Sequence, residues 1–319
     1  MNTSDMLVDT VTRILADHCD KVLHDSAEAG TFPEALFDLL QANGLYEIAV
    51  QDSGVELSAV FAVLETAGRF ALPIPLAELV FARRWLQQSE SMVSIGVATA
   101  DGAAQVPWGR RVDEVIALSP AGGGLQLMRP VTVEPGVSLA GEARDSVSAV
   151  ERRELLCEEP AFALLALSRV ALMAGALRQV LDLSLSYAGE REQFGRPISG
   201  FQAIQHYLAL MAAEVAAAGR AARAAAMAAD GDLADERFLL EVAAAKSRVG
   251  EAVGFVVETA HQIHGAMGYT HEHRLHHFTR RLWCWREEYG NERYWQALLG
   301  ERVAARGADN LWSFLASRG

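Results

Sequence analysis

Arg191-Glu192-Gln193-Phe194-Gly195-Arg196-Pro197-Ile198, followed by Phe201, Gln202 and Gln205, is the segment on which the reading of this chain turns. It lies between two long Ala/Leu-rich stretches of helical periodicity, and Gly195 with Pro197 turns the chain from one into the other. Arg191 therefore stands near a helix end, where a guanidinium can hold a phosphate through charge-assisted hydrogen bonds. About seventy residues downstream comes Gln262-Ile263-His264-Gly265-Ala266-Met267-Gly268-Tyr269. Gln262 supplies an amide, while Gly265 and Gly268 allow the backbone to approach a phosphate closely. The plain alternative for the first segment is a capped turn in which Phe194 anchors a core.

Helical periodicity extends outward from these motifs, over roughly 158–189, 199–230, 235–265 and 288–307, with Gly231-Asp232 separating the second run from the third. Four long amphipathic helices with short links predict an antiparallel bundle over 153–319. The alanines of 212–229, interrupted by Arg220, Arg223 and Met227, read as close helix contacts rather than a linker. Residues 1–90 are helical as well. Leu7, Val11, Ile14 and Leu15 follow Ser4 as N-cap, and Thr31-Phe32-Pro33-Glu34 opens a helix that Gly44 closes. Further runs at 57–68 and 76–88 flank an extended Leu72-Pro73-Ile74-Pro75 connector. Between 91 and 152, Val, Gly and turn residues predominate, with short runs at 93–99, 112–118, 124–128 and 131–134 and a turn at Gly122-Gly123-Gly124. The predicted fold class is mainly α with a small β unit, in three parts: 1–90, 91–152 and 153–319.

A net charge of −13 and a pI near 5.2 argue against a nucleic-acid partner, which would call for a basic stripe. Arg supplies 26 of the 28 basic residues, an excess spread along the chain and better read as codon bias than as one site. Cys19, Cys157 and Cys284 are far apart and odd in number, which fits a reduced, cytoplasmic setting. The N-terminal stretch lacks the basic start and apolar core of a signal peptide, and no segment reads as a membrane span. In His271-Glu272-His273-Arg274-Leu275-His276-His277, His273 and His276 share a helix face. The order is not H-E-x-x-H and no acid or Cys cluster completes a site, so no metal is expected. Trp283, Trp285, Tyr289, Tyr294 and Trp295 read as an interface or core stripe.

Taken together, the two motifs make residues 157–300 resemble the flavin-binding half of the acyl-CoA dehydrogenase family. The resemblance implies an N-terminal helical domain, a middle β domain and a C-terminal four-helix bundle, with FAD as cofactor and an acyl-CoA thioester as substrate. It also implies roles. Arg191 and Phe194 would reach a flavin bound mainly by a neighbouring subunit, and Gln202 would meet its adenosine part. Gln262, Gly265 and Gly268 would bind the pyrophosphate and ribose across the interface, with Ala266 in place of the motif's second glycine.

The family's oxidation requires a carboxylate that removes the α-proton of the thioester while hydride leaves the β-carbon. In most members that base is the Glu of a Tyr-Glu-Gly-Thr stretch, and the matching position here is Tyr289. The carboxylate falls one residue early, at Glu288, a rotation of about 100° on a helix. Other members place the base at a position matching Leu165, where no acid stands nearby. The Thr-Glu…Gly-Ser-Asp and Trp-x-Thr segments of full-length relatives have no counterpart between 90 and 150, and the β unit reads as too short by several strands. Trp108 reads as a packed loop aromatic and Arg110-Arg111 as a solvated turn. The chain is thus similar to the shorter chain of two-chain acyl-CoA dehydrogenases, including those acting on steroid side-chain thioesters. Its expected partner is a second acyl-CoA dehydrogenase chain that supplies the base. A self-sufficient homo-oligomer using Glu288 and a cofactor-free scaffold are the alternatives.

Overall fold

The computed structural model describes residues 3–86, 91–119 and 124–316. Five helices lead: α1 (Thr3–His18), α2 (Lys21–Glu28), α3 (Glu34–Ala42), α4 (Leu57–Arg69) and α5 (Leu76–Trp85). Ser4 lies inside α1 rather than capping it, whereas Asp20 caps α2 by accepting from the Leu23 amide at 2.8 Å. Seven strands follow: β1 (Val93–Ala98), β2 (Ala104–Pro107), β3 (Glu114–Leu118), β4 (Leu125–Met128), β5 (Thr132–Glu134), β6 (Arg144–Ser148) and β7 (Arg152–Leu155). They form one sheet in the order β5-β6-β2-β1-β3-β4-β7, antiparallel except where β1 runs parallel to β3. The four expected runs are β1, β3, β4 and β5. The three unforeseen strands carry Pro107 or the polar runs RDSVS and RREL, which hide a strand from a search for apolar alternation. The expected Gly122–Gly124 turn lies partly outside the described residues.

The C-terminal part opens with α6 (Ala161–Glu190), then a hairpin of β8 (Glu192–Gln193) and β9 (Arg196–Pro197), α7 (Gln202–Ala228) and α8 (Glu236–His264). After these come α9 (Leu275–Glu287), α10 (Glu292–Arg306) and α11 (Leu311–Ala316). The fourth expected run, 288–307, is α10, and α9 before it was not foreseen. Its inward face carries His276, His277 and Arg281, whose polarity masks the helical period.

α6 is apolar on all sides and is the axis of the bundle. It is long and apolar enough to cross a membrane, contrary to the expectation that no segment is, but 89% of its most apolar window is buried within the protein. α4 crosses it at glycine contacts. A Cβ on Gly175 would stand 1.8 Å from the Glu65 carbonyl oxygen, and one on Gly68 would stand 2.0 Å from that of Leu172. Two backbones meet there, so only Gly fits. The N-terminal helices, one face of the sheet and the bundle share a single apolar core. Arg110, expected in solvent, instead holds the fully buried Asp145 at 2.5 Å and pins the 109–111 turn to β6.

Candidate functional site

Antiparallel α6, α7 and α8 bring the C-terminus of α6, the N-terminus of α7 and the C-terminus of α8 to one end of the bundle. Tyr187 on α6 fixes this junction by stacking on His264 of α8, with ring centroids 4.5 Å apart. Arg191 caps α6, its amide donating to the Tyr187 carbonyl at 2.8 Å, and its carbonyl accepts from the Ile198 amide at 2.8 Å to close the hairpin. Phe194 and Gly195 form the tip at φ 51° and 77°. Two successive left-handed residues suit a two-residue hairpin, but a bulky Phe there is strained. Phe194 is also 92% exposed, touching Phe201 edge-on at 6.1 Å, so it is not the core anchor of the plain alternative.

Gln202 begins α7 and Gln262 lies in the last turn of α8, and both face solvent. Gly265 caps α8 at φ 55° with open space where a Cβ would stand. Gly268 differs: it is buried, and a Cβ would sit 3.0 Å from the Cβ of His264 and 3.1 Å from Nδ1 of His261. A side chain at this position would crowd His264 and His261. Arg191, Phe194, Gln202, Gln262 and Gly265 thus share one solvent-facing end.

The other candidate, Glu288, sits in the interior. It follows α9, and its carboxylate accepts from Arg169 Nε at 2.5 Å and from Arg144. Arg169 also donates to Glu78, and its guanidinium lies 5.0 Å from the centre of the Tyr289 ring. Arg169 and Glu78 are each 3% exposed. Burial pushes the Glu288 carboxyl up, but the charges of Arg144 and Arg169 outweigh it and hold the group below the ordinary carboxylate range. Burial holds the nearby Lys246 amine down at about 7, and Lys246 donates to the carbonyls of Trp285 and Arg286 that end α9. Tyr289 adopts φ 55°, packs edge-on against Phe162, and has its carbonyl tied to Trp295 Nε1 at 3.0 Å. Leu165, the alternative base position, is fully buried on α6, one turn before Arg169.

The cavity lined by Ile74, Glu78, Trp108, Arg144 and Arg169 holds about 40 Å³. That is room for a water or two, against several hundred Å³ for ordinary ligand sites. Trp108 is packed as expected, with Nε1 donating to the Pro73 carbonyl at 3.2 Å. Sequence reading missed Glu78, Arg144 and Arg169. Arg169 was open to detection, as the only charged residue in the apolar run from Ala161 to Leu177.

His273 and His276 part company. His273 turns toward His264, with centroids 4.6 Å apart, whereas His276 packs on His277.

Residues 160–304 match the acyl-CoA dehydrogenase C-terminal domain family. Over that span the chain belongs to the acyl-CoA dehydrogenase family. Within it, the chain is 28% identical to acyl-CoA dehydrogenase IpdE2 of Mycobacterium tuberculosis over 294 residues, covering 86% of this chain and 89% of that one. Acryloyl-CoA reductase (NADH) of Anaerotignum propionicum is 33% identical over 190 residues, and the match spans 52% of this chain and 48% of that enzyme. The fold is that of the acyl-CoA dehydrogenases. The crystal structure of the ChsE4-ChsE5 complex from M. tuberculosis superposes with a TM-score of 0.81 at 21% identity, covering 95% of this chain and 98% of the matched one.

Proposed function

We propose that this chain is a subunit of an FAD-dependent, hetero-oligomeric acyl-CoA dehydrogenase, completing the flavin site of a partner chain that supplies the catalytic carboxylate. The observation that carries this reading is the opposite character of the two candidate sites. The motif residues face outward, with a strained and almost fully exposed Phe194 at their tip. The position of the family's base is a buried Tyr289, and each carboxylate oxygen of its neighbour Glu288 accepts from a guanidinium group.

A general base needs a free lone pair aimed at the substrate and a pKa near the working pH. Glu288 has both oxygens engaged by arginines and its carboxyl held below the ordinary range, which weighs against a self-sufficient enzyme. The residues present fit a shared flavin: Arg191 would pair with a phosphate, Gln202 and Gln262 would donate to polar parts of the dinucleotide, Gly265 would admit its backbone, and Phe194 would lie against the ring system. When bound, FAD supplies the acceptor for the hydride leaving the β-carbon. That ChsE4-ChsE5 is a complex supports the same arrangement, and a steroid side-chain thioester is the substrate class proposed, since the Tcur3481-Tcur3483 steroid ACAD shares the fold.

The test is the flavin absorbance of the chain purified alone and after co-expression with a full-length acyl-CoA dehydrogenase chain from the same genome. A colourless chain and a yellow complex are expected, with Arg191→Ala lowering the flavin content of the complex. Glu288→Gln should leave its substrate-driven flavin reduction intact. Stoichiometric flavin in the lone chain would refute the shared site. Unchanged flavin content and turnover in Arg191→Ala would leave only a scaffold.

A further inference from the structure

Where α2 meets α9, side chains from two parts of the chain converge. One ring nitrogen each of His276 and His277 and a carboxylate oxygen of Asp25 all lie within 4.8 Å of one another. Asp25 Oδ1 and His277 Nε2 are 3.3 Å apart. Two ligands at Zn–N and Zn–O lengths of about 2.1 Å on a tetrahedral ion would stand roughly 3.4 Å apart.

The rings are fixed so that these nitrogens are free. Nδ1 of His277 lies 2.7 Å from Glu28 Oε1, and Nδ1 of His276 lies 2.8 Å from the His273 carbonyl oxygen. Both partners only accept, so each neutral ring carries its proton on Nδ1 and leaves the Nε2 lone pair exposed. Neither Nε2 has a hydrogen-bond partner, although His277 is fully buried and His276 is 8% exposed. A carboxylate or backbone carbonyl behind a histidine, with the opposite nitrogen open, is the support that metal-ligating imidazoles receive. Asp25 is arranged alike, since Lys21 takes Oδ2 at 2.5 Å and leaves Oδ1 facing His277. Two of the nearby cations are paired, Arg280 with Glu28 and Arg281 with Glu28 and Glu142.

We propose that His276, His277 and Asp25 bind a divalent transition ion of the Zn²⁺ class, clamping α2 of the N-terminal part onto α9 of the bundle. Two imidazoles and one carboxylate suit Zn²⁺, Co²⁺ or Ni²⁺ and not the oxygen-seeking Ca²⁺ or Mg²⁺. A groove of about 510 Å³, lined by His261, Tyr269, His271, His276, Thr279 and Arg280 among others, gives an entry path and room for water in the remaining positions. Sequence spacing pointed to the wrong pair. His273 faces away, and the acid comes from a helix some 250 residues earlier in the chain.

The proposal is independent of the flavin reading and is tested on the untagged full-length chain, stripped with EDTA and dialysed against micromolar Zn²⁺. The bound ion is counted by elemental analysis, and Co²⁺ substitution reports the ligand set through its visible absorption. One ion per wild-type chain is expected, a histidine-ligated Co²⁺ spectrum, and a loss of affinity of at least tenfold in both Asp25→Asn and His276→Gln, with far-UV circular dichroism unchanged. Asp25 is half-exposed, so its variant folds and decides the matter even where the histidine variant does not. A wild-type chain without stoichiometric ion, or an Asp25→Asn chain that binds as tightly as wild type, would overturn the site.

Discussion

Replacing Arg169 by Met is the most direct test of what the interior charges do. Arg169 is the only partner of Glu78 among the ion pairs of the described residues, and neither side chain is more than 3% exposed, so solvent screening gives little relief. Met fills much of the volume of the Arg stem, and the change isolates the charge. Removing one member of a buried pair costs about 3–5 kcal/mol, because the other is left uncompensated in a medium that solvates it poorly. Glu288 keeps Arg144 and softens its own share of the loss. Against a typical total stability of about 5–15 kcal/mol, Arg169→Met should remove a large fraction. Urea unfolding of the lone chain at neutral pH measures this as a fall in the midpoint at constant slope. The double variant Glu78→Leu/Arg169→Met, which leaves no stranded charge at Glu78, should recover much of the loss. A single variant within about 1 kcal/mol of wild type, or a double variant no better than the single, would refute an interior held by charge pairing.

Glu288→Gln should destabilise by roughly 1–3 kcal/mol at pH 7, through loss of charge-assisted hydrogen bonds to Arg144 and Arg169. The folded carboxyl titrates below its ordinary 4.5, so its contribution is present above that pH and fades as pH falls through the folded value. The gap between wild type and variant, followed by denaturation from pH 7 to pH 3, should therefore narrow below about pH 4.5, and a constant gap would contradict the assignment. Gly175→Ala should cost about 1–3 kcal/mol net of its helix propensity, because the new Cβ meets the α4 backbone. Gly189→Ala, in the same helix with nothing near its Cβ, should stabilise by about 0.5–1 kcal/mol, and calorimetry of the two variants separates packing from propensity. Phe194→Ala should leave the lone chain within about 0.5 kcal/mol of wild type while lowering flavin retention by the complex, read as absorbance after gel filtration.

The elements legible in the sequence were those whose face is apolar and whose ends are punctuated. α4, α6, α7 and α8 begin and end within three residues of their expected limits, because Leu and Ala repeat along them and Gly or Pro stands nearby. α9 was illegible for the opposite reason. Its buried face includes His276, His277 and Arg281, the last two held inside by Glu28 and Glu142 from remote segments, and no local pattern announces a partner so far away in sequence. β7 was hidden in the same way, as an edge strand of charged residues made by its pairing with β4. The site divides likewise. REQFGRPI is contiguous and could be read directly, whereas the Glu78–Arg169–Glu288–Arg144 cluster is gathered from four separated segments and exists only once the chain is folded.

The two halves of the molecule place opposite demands on stability, and that opposition is the physical basis of the proposed division of labour. A Phe in a left-handed turn costs on the order of 1–3 kcal/mol in backbone strain, and leaving it in water forfeits a further 1.5–3 kcal/mol of burial. Both penalties fall on the isolated chain, and only a surface that covers the hairpin offsets the second. At the buried end, four charges on Glu78, Arg144, Arg169 and Glu288 line or adjoin the small space between the helical and β parts. Admitting an acyl chain there would require breaking pairs whose separate members are costly to bury. Substrate placed elsewhere, in a neighbouring chain whose flavin Phe194 and Arg191 would touch on the proposed reading, would avoid that cost and recover the burial of the exposed ring. On the proposed reading, the strain at Phe194 and the closure around Glu288 are therefore two consequences of one arrangement, and the flavin content of Phe194→Ala and Arg169→Met complexes should separate them: the first loses flavin without losing fold, the second loses fold first.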